Sequence, residues 1–405
     1  MKANSLCLCC ATEAVQILLD FGPQPPSNRF ERTDSGQEET HPLIVGQCAA
    51  CGLVQLINPM PPAMAKSRFE WLTYNEPESH LDDLVVRLCR LPGVGRDSRV
   101  IGLTYKDDTT LARFNRLGYS NTFRYDTAAD LGLQDPCAGL ESIQAALDGP
   151  MASRLAVRHG LADVLLARHV LEHAHDPAAF LRALGMLVRS GGYLLLELPD
   201  CTKFIKACDY SFIWEEHIAY FSSPTLAALV AGGGLSMHEA IVYPYPLEDS
   251  LVGIVRNKAQ AGVARTAHEA LDPLIGDGQT FARRFPELRS RMQTLCRAWR
   301  RLGKRVAMFG AGHLAAKFAN IYSLGDLMDC VIDDDAHKQA LLMPGSRLPI
   351  RGSAALSAID LCLLSLNPES ERKVLARNRP FLDRGGGFLS IFALSPISVY
   401  GVDAP

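Results

Sequence analysis

Apolar and polar positions along the 405-residue chain sort it into three blocks. In the middle block, about residues 80–258, short apolar runs alternate with segments of helical period. Arg99 to Thr104 reads as a strand, Thr110 to Leu117 as a helix ended by Gly118, and Asn121 to Tyr125 as a second strand. Ala162 to Arg168 is another strand, followed by a helical Pro177 to Val188. Gly191-Gly192 then turns the chain into the apolar strand Tyr193 to Leu198. This alternation predicts a doubly wound α/β domain with a mostly parallel sheet.

The last block repeats the theme. Arg305 to Phe309, Cys330 to Ile332 and Ile359 to Leu366 read as strands, and Gly310-Ala-Gly312 follows the first of them. Between the two blocks, Phe281, Phe285, Leu288, Met292 and Leu295 recur at helical spacing and predict an amphipathic connecting helix. The first block, about 1–75, is rich in Cys, Pro and polar residues, with a flexible stretch expected from Pro23 to Thr40. The fold class expected is α/β: two Rossmann-like units and a small N-terminal module.

Composition narrows the function. Hydrophobic residues make up 48% and charged residues 21%, which excludes a disordered or fibrous chain. Lys+Arg number 41 against 44 Asp+Glu with no basic block, so nucleic acid is not the expected partner. No run reaches the roughly 18–20 apolar residues of a membrane span, and no signal peptide is read, so a cytoplasmic protein is expected. In that compartment the paired residues among the twelve cysteines point to metal rather than disulfides.

Cys7-x-x-Cys10 and Cys48-x-x-Cys51 supply the four thiolates that a tetrahedral structural Zn²⁺ requires. The 37-residue gap is long for a zinc ribbon, and Cys9 is a competing ligand. In the middle block Gly102 is the only glycine near the first βα turn, where Tyr105 and Lys106 stand; Asp126, after the second strand, is a candidate ribose-binding acid. Arg168 to Pro177 lies at the carboxyl edge of the sheet. There a metal on His169, His173 and His175 competes with capping and packing around the Asp176-Pro177 helix start, and the second reading is preferred. Glu216-His217, among aromatic residues, is a plausible acid/base set. In the last block Gly310-Ala-Gly312 with Asp333-Asp-Asp335 forms a weak dinucleotide fingerprint, shared by any Rossmann-like turn.

In combination these segments resemble the deoxysugar C-methyltransferases that act on nucleotide-linked 4-keto sugars. The resemblance spans nearly the whole chain. It runs from the two Cys pairs through His169-Val-Leu-Glu-His173, Ser190 to Pro199 and Glu216-His-Ile-Ala-Tyr-Phe-Ser222. It ends in Val306 to Gly312, Lys338-Gln339 and Met343-Pro-Gly345. The resemblance implies that the middle domain binds S-adenosylmethionine, with Thr104, Tyr105, Lys106, Asp107, Asp126, Arg168 and His169 as candidate contacts. It also implies removal of a proton α to a keto group, the enolate carbon then attacking the methyl. His217 is the candidate base, Glu216 its orienting or shuttling partner, and Tyr74 a hydrogen-bond donor to the enolate oxygen. Trp214, Tyr220, Glu248 and Asp249 are the candidate substrate contacts. The chain departs from the family's pattern at Thr104-Tyr-Lys-Asp-Asp108, which lacks two loop glycines, at Trp214-Glu215, and at Leu247-Glu-Asp-Ser250.

The domains expected are a zinc-binding module at 1–75, a class I methyltransferase-like domain at 76–258, a helical connector at 259–303 and a C-terminal Rossmann-like domain at 304–405. The leading reading is a methyltransferase with a structural Zn²⁺ and a small-molecule substrate, a nucleotide-linked keto sugar or related metabolite, with no nucleic-acid or membrane partner. Two rivals stay open: a descendant that has lost S-adenosylmethionine and does other acid/base chemistry, and a non-enzymatic nucleotide-binding partner protein.

Overall fold

The structure, a computed structural model, describes residues 5–32, 36, 38–72, 76–258 and 268–403, with side chains in the last stretch from 273 onward. Tyr74 lies outside the described residues. The chain forms two compact units. The first comprises Met1–Ile17, Val45–Thr202 and Glu216–Ile275; the second comprises Leu18–Ile44, Lys203–Glu215 and Gly276–Pro405. Residues 18–44 thus go with the C-terminal block, and the two Cys pairs with the middle block.

The first unit is built on a six-stranded sheet in the order Thr122–Arg124, Val100–Gly102, Ala162–Arg168, Val188–Asp200, Asp249–Arg256, Ser236–Tyr243. The first four strands are parallel and the last two antiparallel. The central strands are nearly continuous apolar runs because helices cover both faces. Helix Leu81–Cys89 lays down Leu81, Leu84, Val85 and Leu88 as one buried stripe. Helix Pro177–Met186 begins where expected, with Asp176 accepting from the Ala179 N–H (2.8 Å) and Pro at the first turn. Gly191-Gly192 fall within the 13-residue strand Val188–Asp200, where Gly191 takes φ 76° and the pairing with Ala162–Arg168 jumps from Val188 to Tyr193 before the regular run begins.

A separate four-stranded sheet runs in the order Val15–Gln24, His41–Cys48, Val54–Ile57, Ala219–Tyr220. The second unit carries five parallel strands in the order Ile350–Arg351, Cys330–Ile332, Val306–Phe309, Leu361–Leu364, Gly387–Ser390. That order reverses beside Val306–Phe309, the doubly wound pattern expected for the block. The connector is the 34-residue helix His268–Arg301, and its five periodic residues, Phe281 to Leu295, are all buried.

The stretch expected to be flexible is in part core: Gln24, Ser27, Asn28, Arg29 and Phe30 are buried. The reason is charge. Glu215 accepts from the Ser27 N–H and pairs with Lys317, whose side chain is 0% exposed. Lys317 sits on helix His313–Ile321 among buried alanines, so its ammonium has to be met by a carboxylate in place of water. Beside it Trp214 stacks on His313 at 4.1 Å and 15°. Among the described residues no helix is long and apolar enough to cross a membrane.

Lys317→Met leaves Glu215 buried and uncompensated and is expected to destabilise the second unit by about 3–5 kcal/mol in urea unfolding. The Lys317→Met/Glu215→Gln pair should recover most of that loss in a double-mutant cycle.

Candidate functional site

Both Cys pairs turn in the same way. The Cys9 N–H points at Cys7 Sγ (3.4 Å) and the Ala50 N–H at Cys48 Sγ (3.3 Å). Ala11 N–H bonds Cys7 O and Gly52 N–H bonds Cys48 O, each at 2.9 Å. The residue after each second cysteine has positive φ, 55° for Ala11 and 78° for Gly52, a region glycine enters without strain. These matched knuckles bring the four Sγ atoms within 4.8 Å of one another, with Cys7–Cys51 at 3.5 Å and Cys10–Cys48 at 3.7 Å. A tetrahedral zinc with bonds of about 2.3 Å needs sulfurs about 3.8 Å apart, so the donors fit Zn²⁺ and close its coordination. Cys9 is not part of the set; its sulfur lies 3.6 Å from the Thr225 carbonyl.

The loop after the first strand is held from within. Strand Val100–Gly102 leads into a single 3₁₀ turn, Tyr105–Asp107. Thr104 Oγ1 accepts from the Lys106 N–H (3.2 Å), and Asp107 Oδ2 accepts from the Leu103 and Thr104 N–H groups (2.9 Å each). The other Asp107 oxygen accepts from the Arg168 N–H at 3.1 Å. Asp107 is fully buried, and burial pushes its pKa up to about 6 against the Thr104 bond and the Arg168 charge. A Cβ on Gly102 would stand 2.8 Å from Asp107 Cβ, so the one glycine kept here is where Asp107 packs. Thr104, Asp107 and Arg168 therefore shape the loop. Tyr105 (42% exposed) and Lys106, 3.5 Å from Glu76, form its outer side. Asp126 is exposed and caps the next turn through the Ala128 and Ala129 N–H groups (3.0 and 2.6 Å).

Beneath the loop lies a charge cluster that joins Arg168 and His169 to Glu197 and His80, two residues that sequence reasoning missed. Glu197, buried in the central strand, takes Arg168 Nε (2.5 Å), His80 Nε2 (2.9 Å), His169 Nε2 (3.3 Å) and Ser250 Oγ (3.1 Å). Burial would raise its pKa, but His169, His80 and Arg168 outweigh that and hold it well below the carboxylate range. Burial would lower the His169 pKa, yet Glu172 and Glu197 push it up to about 10. The Arg168 guanidinium also donates to the Lys106 carbonyl, passing the anchor on to the loop. The signal available was a lone glutamate inside Leu194-Leu-Leu-Glu-Leu198.

Next to it sits the acid/base cluster. The 3₁₀ turn Leu171–His173 is tied to the Glu216-His217 segment by the Ile218 N–H, which bonds the Glu172 carbonyl at 2.7 Å. His173 Nδ1 lies 2.9 Å from Glu141 Oε1, on helix Leu140–Ala146. Burial alone would depress the His173 pKa; Glu141, then Glu172, reverse the sign and raise it. The His217 ring stands perpendicular to His173 (4.9 Å, 87°) and 6.2 Å from Tyr220. Donor atoms of Glu141, His173 and Glu216 all lie within 4.8 Å of one another. Tyr105 feels the same cluster: burial first, then Glu141, Glu216 and Glu76, raise its pKa.

Of the expected substrate contacts, Tyr220 pairs with Val54 in the four-stranded sheet, and Glu248 is half-buried with its pKa pushed well up by burial, Glu76 and Glu172. Asp249 accepts from the Tyr245 N–H (2.8 Å) and so shapes its hairpin. Trp214 belongs to the second unit. His175, expected to pack, bonds through its N–H to Gln144 Oε1 (3.2 Å). Glu141, Glu172 and His80 were not singled out, since only their folded neighbours give them meaning.

This is the site of a methyltransferase domain joined to a cysteine zinc centre, and comparison with known proteins says which kind. Three family models match in succession: a zinc binding domain at residues 7–64, a methyltransferase domain at 91–240 and a C-methyltransferase C-terminal domain at 269–393. The chain is therefore an S-adenosylmethionine-dependent methyltransferase that carries the zinc-binding, methyltransferase and C-methyltransferase C-terminal domains in that order. It is similar to the C-methyltransferase NovU of Streptomyces niveus, at 25% identity over 95% of this chain and 94% of that one. Among solved structures it is similar to a Burkholderia thailandensis 1,6-didemethyltoxoflavin-N1-methyltransferase with bound 1,6-didemethyltoxoflavin and S-adenosylhomocysteine. That match has 16% identity and a TM-score of 0.30, covering 45% of this chain and 79% of that one.

Two outcomes follow. Cys48→Ser should lose the zinc, read by metal analysis, and with it the fold of the knuckles. Asp107 has a folded pKa of about 6 against an ordinary 3.8, so its contribution to stability is present below pH 3.8 and lost as pH rises through about 6. Comparing urea midpoints from pH 4 to 7, Asp107→Asn should remove a fall of about 3 kcal/mol from the wild-type profile.

Proposed function

We propose that the chain transfers a methyl group from S-adenosylmethionine to the carbon α to the keto group of a sugar nucleotide or related small metabolite. The observation that carries this is the Glu216–His217 pair set against the His173–Glu141 pair at the carboxyl edge of the methyltransferase sheet. A C–H next to a carbonyl is weakly acidic, so it needs a positioned base and a donor at the developing enolate oxygen. Within the pair, His217 takes the proton and buried Glu216 orients it. Tyr74 is the candidate donor to the oxygen, with Tyr105 facing the same carboxylates.

S-adenosylmethionine supplies the electrophilic methyl. Lys106, Tyr105 and exposed Asp126 would hold it above the loop that Thr104, Asp107, Arg168 and His169 keep in shape; a carboxylate, an ammonium and loop amides match its ribose hydroxyls and amino-acid end. Tyr220 and Glu248 border the substrate, with Asp249 supporting the hairpin that carries Glu248. The twelve cysteines, unpaired apart from the zinc set, support a cytoplasmic setting.

Calorimetric titration with S-adenosylhomocysteine should give micromolar binding, about −8 kcal/mol. No heat at millimolar ligand would remove the cofactor from this reading. His217→Ala should cost at least about 10²-fold in turnover with little change in that affinity.

A further inference from the structure

We propose that Glu172, His173 and His217 form a second metal centre, separate from the four cysteines, that binds a divalent transition-metal ion through two imidazoles and one carboxylate. The first observation is Glu172 itself. Its residue is 2% exposed, neither carboxylate oxygen has a hydrogen bond, and its ion-pair partner, His169 Nδ1, stands off at 3.7 Å. A buried carboxylate without hydrogen bonds is costly unless a cation meets it.

The second observation is where Glu172 points. One donor atom each from Glu172, His173 and His217 lie within 4.8 Å of one another, and the two imidazole planes are perpendicular. The third is the support behind the set. Glu141 Oε1 lies 2.9 Å from His173 Nδ1, so a carboxylate stands behind the imidazole and favours a proton on that nitrogen over the other. The Ile218 N–H bond to the Glu172 carbonyl fixes the His217 segment beside the turn that carries the other two ligands.

Imidazole with carboxylate favours Mn²⁺, Fe²⁺, Co²⁺, Ni²⁺ or Zn²⁺ over Mg²⁺ or Ca²⁺, and three protein ligands leave open positions. What the ion serves rests on the methyl-transfer reading. With His217 held as a ligand it cannot take the α proton, so the ion-loaded form would be the inactive one and the ion a regulator of the same site.

Full-length protein with its cysteine-bound zinc is equilibrated with Co²⁺ or Mn²⁺, desalted and analysed by elemental mass spectrometry. The expected result is an ion beyond the zinc, with a Co²⁺ spectrum lacking thiolate-to-metal charge transfer. Glu172→Gln should abolish it, and Glu141→Gln should weaken binding by about 10–100-fold. Circular dichroism reports folding, and His217→Ala replaces Glu172→Gln if the latter does not fold. No added ion at millimolar Co²⁺ or Mn²⁺, or retention in both Glu172→Gln and His217→Ala, overturns the proposal. A cation site meant only for the cofactor's sulfonium would give that first result. The count involves no turnover, so its failure is distinct from failure to bind S-adenosylhomocysteine.

Discussion

The first unit depends on one buried anion. Glu197 sits in the middle of an apolar strand, and everything that neutralises it comes from elsewhere: Arg168 from the next strand, His80 from the start of helix Leu81–Cys89, His169 from the turn beyond Arg168, Ser250 from the antiparallel strand. Isolated in the core, such a charge would not be tolerated; paired, it fixes how four segments meet. Removing one partner of a buried pair costs about 3–5 kcal/mol, a large part of a domain's whole stability. The same Arg168 holds the loop carbonyl of Lys106 and, through its N–H, the carboxylate of Asp107. A loop poor in glycine can therefore still be rigid: side-chain bonds replace the tight backbone turn.

Around this anchor the functional groups share one electrostatic logic. Glu141, Glu172, Glu216, Glu76 and Glu248 crowd a small region, and His169 and His173 are drawn to the protonated side in response. Burial alone would push each imidazole the other way, so the sign of the shift shows that carboxylates prevail. The result is a region rich in negative charge at the carboxyl edge of the sheet. That suits cationic ligands, a sulfonium or a metal ion, and it suits proton abstraction only where an imidazole stands at the rim, as His217 does.

Much of this was legible in the sequence where one residue carries the physics. Ala162–Arg168 and Cys330–Ile332 form strands at the residues where short apolar runs predict them, and Asp176-Pro177 starts a helix because the cap is local. The paired cysteine spacing was enough for the zinc centre. Long-range pairing was not readable. The antiparallel strands Ser236–Tyr243 and Asp249–Arg256 show no distinctive period, and the burial of Gln24 to Phe30 follows from a bond to Glu215, 188 residues away. Glu141 lies on a helix whose sequence announces nothing; only its approach to His173 gives it a role.

The zinc centre is more than a staple for the N-terminus, because the Glu216-His217 segment hangs from it by backbone bonds. Cys51 leads directly into strand Val54–Ile57, which pairs with Ala219–Tyr220 in the register Val54 to Tyr220 and Gln55 to Ala219. The Leu56 N–H bonds the Ile218 carbonyl (2.9 Å), and the Ile218 N–H bonds the Glu172 carbonyl (2.7 Å). Gln55 returns to the other knuckle, accepting from the Leu8 N–H (2.9 Å) and donating to the Leu6 carbonyl (3.1 Å). A displacement of the knuckles thus reaches His217 through one short strand, with no intervening loop to absorb it. The acid/base chemistry proposed for that segment tolerates little misplacement of its groups, and this connection gives a closed, chemically inert metal a reason to accompany the methyltransferase fold.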